Sequence, residues 1–450
     1  MSTADHPFVD RPNKTLAGMA IPALFSLVAE PLTGLADTAF VARLPGAEPV
    51  AALGIGAVAF SSVFWAFMFL NVGAQTVVSQ SLGRDDRDHA VKFGSLAVCI
   101  GLAAGFLLML GIGPFLTVIA DLLGGRGEVK RLAEEYMAYR LFGAPAILAS
   151  FACFGILRGT QDMRTPLWIA VGVNALNIIL DWLLVFGVGP FPAMGVGGAA
   201  LASSVSQWFG ALWALFAVRS KLGFTLDMRG AGVKRLLDIG GNLFVRTGLV
   251  LVFLALCTRI ANKAGAEPGA AHQAIRQFFI FSALFLDAFA VSGQSLVGFF
   301  IGANNLAQAR RVARYVCLWS FGTGCLLCIA MLAGSGAMAW LLVPPEAVSV
   351  FGPAWLAVAL LQPLSAMTFA TDGVHWGTGD FRYLRNAMAT ATAVGAGCVI
   401  YADAMGHEPL LVWVWLGTGV WTVLRAGFGL ARIWPGWSNS PLASERKKFT

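Results

Sequence analysis

Long apolar runs alternate with short polar punctuation along the whole chain. Measured against the roughly 20 apolar residues that cross a hydrocarbon core of about 30 Å, the pattern predicts twelve helices. They fall near 16–40, 50–81, 93–120, 133–157, 166–188, 195–218, 236–261, 274–301, 312–342, 350–376, 386–403 and 409–430. The connections are short and carry charge or Gly/Pro, as in GRDDRDH at 83–89 and FGVGPFPAMG at 186–195. No stretch is long enough for a separate soluble domain. The predicted fold class is therefore an all-α polytopic membrane protein.

The first run, Leu16 to Arg43, differs from a plain lipid anchor because it holds Pro22, Pro31, Glu30 and Asp37. A proline removes an intrahelical hydrogen bond and crowds the preceding turn, so each marks a place where the helix can bend. A carboxylate in hydrocarbon costs at least about 2.5–3.5 kcal/mol on insertion scales, which favours a protein interior or wet cavity over lipid. The bland alternative puts Asp37 in headgroup water at the helix end.

The chain also repeats. Gly46-Ala-Glu-Pro49 recurs as Gly265-Ala-Glu-Pro268, an offset of 219 residues, and the register continues through Gln75/Gln294, Val78/Val297 and Gly83/Gly302. After a one-residue slip come Pro145/Pro363, Gly155/Gly373, Gly159/Gly377, Asp162/Asp380 and Arg164/Arg382. Six helices per half is an even number, so both halves enter the membrane in the same direction. The expectation is two six-helix bundles, 1–219 and 220–450, related by a pseudo-two-fold axis along the membrane normal with a cavity between them.

Composition agrees with this class: 57% of the 450 residues are hydrophobic and 12% charged, against roughly a quarter charged in a soluble domain. The net charge of +7 reads as topology rather than as a nucleic-acid partner. Of the 31 lysines and arginines, 22 fall on the side that holds both termini, among them Arg84, Arg87, Lys92, Arg219, Arg229, Arg310, Arg425, Arg446, Lys447 and Lys448. Both termini are expected to be cytoplasmic. The seven cysteines lie almost all in apolar runs and the five histidines are scattered, so no disulfide framework, metal site or cofactor is expected. The first fourteen residues are polar, acidic and proline-bearing, unlike a cleaved signal.

Two polar sets stand out in the membrane. In the fifth helix Asn174, Asn177 and Asp181 stand at i, i+3 and i+7, which stacks them on one stripe. Together with Asp37 they form a candidate pocket in which desolvation and amide donors oppose each other, leaving a carboxylate able to titrate. The alternative is polar glue between helices 1 and 5. The second half offers Arg246 in helix 7, Asp287 in helix 8, and Asp372 with His375 in helix 10. Arg246 is the natural counter-ion for Asp287 or Asp372. Helix 10 ends in Gly377-Thr-Gly-Asp380, the GxGD signature of intramembrane aspartyl proteases. Asp380, however, has a repeat partner in Asp162, and each is followed two residues later by an arginine. That context places both at cytoplasmic helix ends and argues against the protease reading; no enzyme activity is expected.

Two six-helix halves, a proline-bearing first helix ending in GLADTAFVARL, the AALGI and AAHQA segments, and LRGTQDMRTP after helix 4 resemble the multidrug and toxic compound extrusion (MATE) transporters. FLDAFAVSGQSLVGFFIGANN and ATDGVHWGTGDFRYLRNAM are similar to the DinF branch. The resemblance implies a multi-pass antiporter of the plasma membrane, the inner membrane in a bacterium. It would act as a monomer and expel small organic, often cationic or amphipathic compounds in exchange for protons, with sodium as the alternative ion. It implies a proton-coupling site at Asp37, Asn177 and Asp181, a bending proline at Pro22, and cavity-lining positions at Tyr136 and Ser203, where serine replaces the more usual threonine. An acidic residue that some relatives use in helix 7 has no counterpart, Arg246 being there instead. A lipid-linked precursor flippase of the same superfamily is the alternative function, but it would want a strongly cationic central cavity.

Overall fold

The computed structural model describes residues 5–434 and 439–443; the side chain of Glu30 and the terminal Arg446, Lys447 and Lys448 lie outside the described residues. Among the described residues the regular secondary structure is helical, without a strand. Eleven helices and one bent pair have the length and apolarity to cross a membrane. They are α1 (Pro12–Val41), α2 (Glu48–Gly83), α3 (Arg87–Leu122), α4 (Gly127–Phe142 with Ala144–Gly159), α5 (Arg164–Phe186) and α6 (Gly195–Lys221). The remainder are α7 (Val233–Lys263), α8 (Ala266–Gly302), α9 (Leu306–Ala333), α10 (Pro345–Thr378), α11 (Phe381–Ala404) and α12 (Leu410–Ile433). These match the twelve spans that hydropathy predicts.

Local chemistry explains the breaks and the continuities. The two parts of α4 meet at 48°, where Gly143 ends the first and Pro145 occupies the first turn of the second. Proline is tolerated there because that N–H would be unsatisfied anyway. By contrast α1 runs through both Pro22 and Pro31 as one helix.

Packing divides the chain into two units, Ile21–Gly240, and Met1–Ala20 with Gly241–Thr450. Within the first, α5 lies along α6, and α4 packs on α2, α3 and α6. Within the second, α10 is central, against α8, α9 and α12, while α11 lies on α12. The opening segment belongs to this second unit: Phe8 is buried beside Phe300 and Tyr315, and Arg311 Nη1 donates to the Val9 carbonyl at 2.9 Å.

The internal repeat is physical as well as sequential. Gly155 approaches the carbonyl of Asn71 too closely to admit a Cβ, and its repeat partner Gly373 does the same to Ala290, the repeat partner of Asn71. Gly159 lies against Gln75 and Val78, and Gly377 against Gln294 and Val297. Gly105 abuts Pro145 as Gly324 abuts Pro363. The turns repeat too. Asp85 and Asn304 both adopt left-handed backbone, at φ 60° and 56°, and the next residues, Asp86 and Asn305, cap α3 and α9 by accepting from His89 N at 3.0 Å and Gln308 N at 3.1 Å.

Candidate functional site

The stripe along α5 is the frame of the first polar cluster. Asn177 and Asp181 are fully buried and Asn174 half-buried. Facing them, α1 contributes Asp37, only 5% exposed, and α6 contributes Ser203. The Ser203 hydroxyl donates to Asp37 Oδ2 at 2.9 Å, and Asn177 Nδ2 donates to Ser203 Oγ at 3.4 Å. Asp181 lies within hydrogen-bonding reach of Asp37, so the two carboxylates are neighbours. Tyr136, buried on α4, and Arg140 one turn later border the same pocket. Five of the residues expected at this site, Asp37, Tyr136, Asn177, Asp181 and Ser203, are thus brought together.

Asn174 is turned aside. Its Oδ1 accepts from the Thr33 hydroxyl at 2.6 Å and its Nδ2 donates to the Ala170 carbonyl at 2.9 Å, so it ties α5 to α1 one turn from the carboxylates. Pro22 is also apart. Fifteen residues separate it from Asp37 on one continuous helix, about 22 Å at 1.5 Å per residue.

Acceptors and a donor are both left unpaired here, the donor being Arg140 Nη1, buried without a partner. Asp37 Oδ1, Asn177 Oδ1 and both oxygens of Asp181 are buried with no hydrogen-bond partner. Buried polar atoms in native folds are ordinarily satisfied. Arg140, whose charge acts on Asp181 and Tyr136, is a member of this site that no sequence motif singles out. With two carboxylates and one guanidinium, a single proton brings this set to neutrality.

In the second unit the sequence left Arg246 to choose between Asp287 and Asp372. It pairs with Asp372 Oδ2, and Arg425 Nη2 reaches the same oxygen at 3.0 Å. Arg425 is a correction: counted as a cytoplasmic positive, it is a buried partner inside the bundle, its side chain 11% exposed. Its guanidinium lies 4.3 Å from the Trp421 ring centroid, and that of Arg246 lies 5.4 Å from Trp376. His375 is fully buried one turn below, with Nε2 3.2 Å from the Gly429 carbonyl. Asp287 is half-buried on α8 with interactions of its own. The GxGD aspartate, Asp380, accepts from Arg432 Nε at 2.8 Å and starts α11. Its repeat partner Asp162 accepts from the Arg164 and Thr165 amides at 3.0 Å and pairs with Lys221. Both sit at helix starts, but only Asp162 caps its helix through the side chain.

Comparison with known proteins follows the same lines. The MatE family model matches residues 22–183 and again 243–399, once in each repeat. The chain is 28% identical over 467 residues to Protein DETOXIFICATION 45, chloroplastic, of Arabidopsis thaliana, covering 97% of this chain and 81% of that protein. It is equally 28% identical to DNA damage-inducible protein F of Escherichia coli, covering 95% and 93%. A crystal structure of a MATE protein in the bent conformation superposes with a TM-score of 0.85 at 21% identity, over 93% of this chain and 94% of that one. Helical architecture, doubled family match and full-length relatives agree, and the chain belongs to the MatE family of multidrug and toxic compound extrusion transporters.

Proposed function

We propose that this transporter is a proton-coupled antiporter exporting small organic compounds, and that Asp37, Asn177 and Asp181 bind the proton. The observation that carries the reading is the set of four buried, donorless oxygens on those three residues. A proton on either carboxylate supplies the missing O–H donor to its neighbour and removes the repulsion between two adjacent anions. Sodium would need several oxygens arranged around it. The best counterpart in the second unit, Asp372, is already held by two guanidiniums.

Coupling follows from competition for one charged pocket. A cationic or amphipathic compound is favoured when the carboxylates are ionised, and a proton is favoured when it is absent. Neutralisation weakens the reason for α1 to remain straight beside a charge, and Pro22 gives it a place to bend. Proton and substrate then favour different states of one helix, which an exchange cycle requires. This reading places the chain in the bacterial inner membrane with both termini cytoplasmic.

The test is ethidium transport in everted vesicles carrying an imposed proton gradient, with and without an uncoupler, and with a sodium gradient in its place. Transport should follow the proton gradient and disappear in Asp37→Asn and Asp181→Asn. Sodium-driven transport with those variants intact would overturn it.

A further inference from the structure

The AAHQA segment near the start of α8 holds a buried histidine that neither polar cluster uses. His272 is 2% exposed and sits between Thr258 of α7 and Trp415 of α12. Its Nε2 lies 3.2 Å from the Thr258 hydroxyl, which already donates to the Leu254 carbonyl at 2.9 Å. The hydroxyl proton is therefore spent, and His272 Nε2–H is the donor in that contact. Nδ1 is left buried without a partner. Two donors beside it are also unpaired. The Trp415 indole, itself 2% exposed, lies tilted against the imidazole with ring centroids 5.3 Å apart, and its Nε1–H is buried without an acceptor. Arg276 stands four residues on, on the same face of α8. Its Nε is buried without an acceptor, and no hydrogen bond or ion pair joins it to another described residue.

The charge of Arg276 acts on His272, and no carboxylate does. The other charged groups on the surrounding elements, Arg259 and Lys263 on α7, Glu267 on α8, Glu346 on α10 and Glu408 before α12, are exposed. Trp415 packs in an apolar cluster with Ile275, Trp355 and Leu411. A guanidinium at membrane depth in such surroundings calls for a counter-ion, and no side chain supplies it. We propose that His272, Arg276 and Trp415 bind a small inorganic anion, such as chloride, together with a proton on His272. Arg276 Nε–H and Trp415 Nε1–H are two donors to the anion, and the added proton makes Nδ1–H the third. Anion and proton enter as a neutral pair, so the site takes up no net charge. The near-complete burial of both rings favours an anion of atomic size over an organic one. This goes beyond the proton site at Asp37 and does not depend on it.

The experiment uses the full-length protein in nanodiscs, in gluconate buffer of fixed ionic strength, with chloride replacing gluconate stepwise. The melting temperature should rise saturably with chloride. Because each chloride brings a proton, the half-saturating concentration should fall by up to about tenfold per pH unit between pH 8 and pH 6. Arg276→Gln should abolish the rise, and Arg276→Lys should keep part of it. Trp415→Phe removes one donor and should weaken chloride about fivefold. His272→Gln, whose amide can still donate to Thr258, should leave a weak response that no longer varies with pH. Asp37→Asn should respond as the wild type does, which separates this site from the proton site. A melting temperature indifferent to chloride at both pH values, a wild-type response in Arg276→Gln, or equal half-saturation at pH 6 and pH 8 would each overturn the proposal.

Discussion

Both carboxylate oxygens of Asp181 are buried without a hydrogen-bond partner, while Asp37 accepts from one donor, the hydroxyl of Ser203. A hydrogen bond to a charged group contributes about 1.5–3 kcal/mol, so Ser203→Ala should lower proton-driven efflux several-fold and Ser203→Thr should preserve it, measured on the same everted vesicles at matched expression. In the second unit Asp372 has two arginines, so Arg246→Ala alone leaves it a partner. The double replacement of Arg246 and Arg425 by alanine strands a buried charge at a cost of about 3–5 kcal/mol. Its yield in detergent should collapse and should recover when Asp372→Asn is added; a well-expressed double variant would contradict the shared pairing. The Asn177/Asp181 stripe was legible because helical spacing alone aligns it. Thr33 and Arg425 were not legible. A threonine in an apolar run has no signature, and an arginine eight residues before a helix end reads as a topological positive until the opposing Asp372 is placed beside it.

The helices were readable from hydropathy, but their contacts were not. The expected fourth helix began at 133, whereas the structure starts it at Gly127, because Glu128, Lys130 and Arg131 make its opening too charged to register as part of a span. The glycines show how closeness replaces apolarity as the packing force inside a bilayer, where lipid is as oily as leucine. Gly373→Ala pushes a methyl into the Ala290 backbone and should cut the amount of monodisperse protein on size-exclusion chromatography. Gly397→Ala, also mid-helix but with nothing within 4 Å of its Cβ position, should be neutral or stabilising by up to about 1 kcal/mol. Equal behaviour of the two would mean that the α8/α10 approach does not limit folding. Pro22 belongs to the same scale: α1 is continuous through it, so Pro22→Ala should leave the protein folded and slow the exchange cycle.

At the scale of the whole molecule, the two matches to the family model and the paired glycine contacts describe one six-helix plan used twice. An even number of spans per copy fixes the side on which each loop must lie. The loop after α1 and the loop after α6 are separated by five spans, so they must face opposite sides. Ala47 and Leu226 report on them well: both are exposed, Leu226 at 95%, and neither caps a helix through its side chain. Asp86 is a poorer reporter because its carboxylate caps α3. Cys99 and Cys398 are exposed along α3 and α11, so the native cysteines are best replaced first. In that background an impermeant maleimide added to intact cells should label Ala47→Cys and spare Leu226→Cys, with the latter reacting once the cells are opened. The positive residues clustered at Arg84, Arg87, Lys92, Arg219 and Arg229 favour this orientation over its inverse. Labelling of both sites from outside would contradict an odd number of crossings between them, and labelling of Leu226→Cys alone would invert the protein in the membrane.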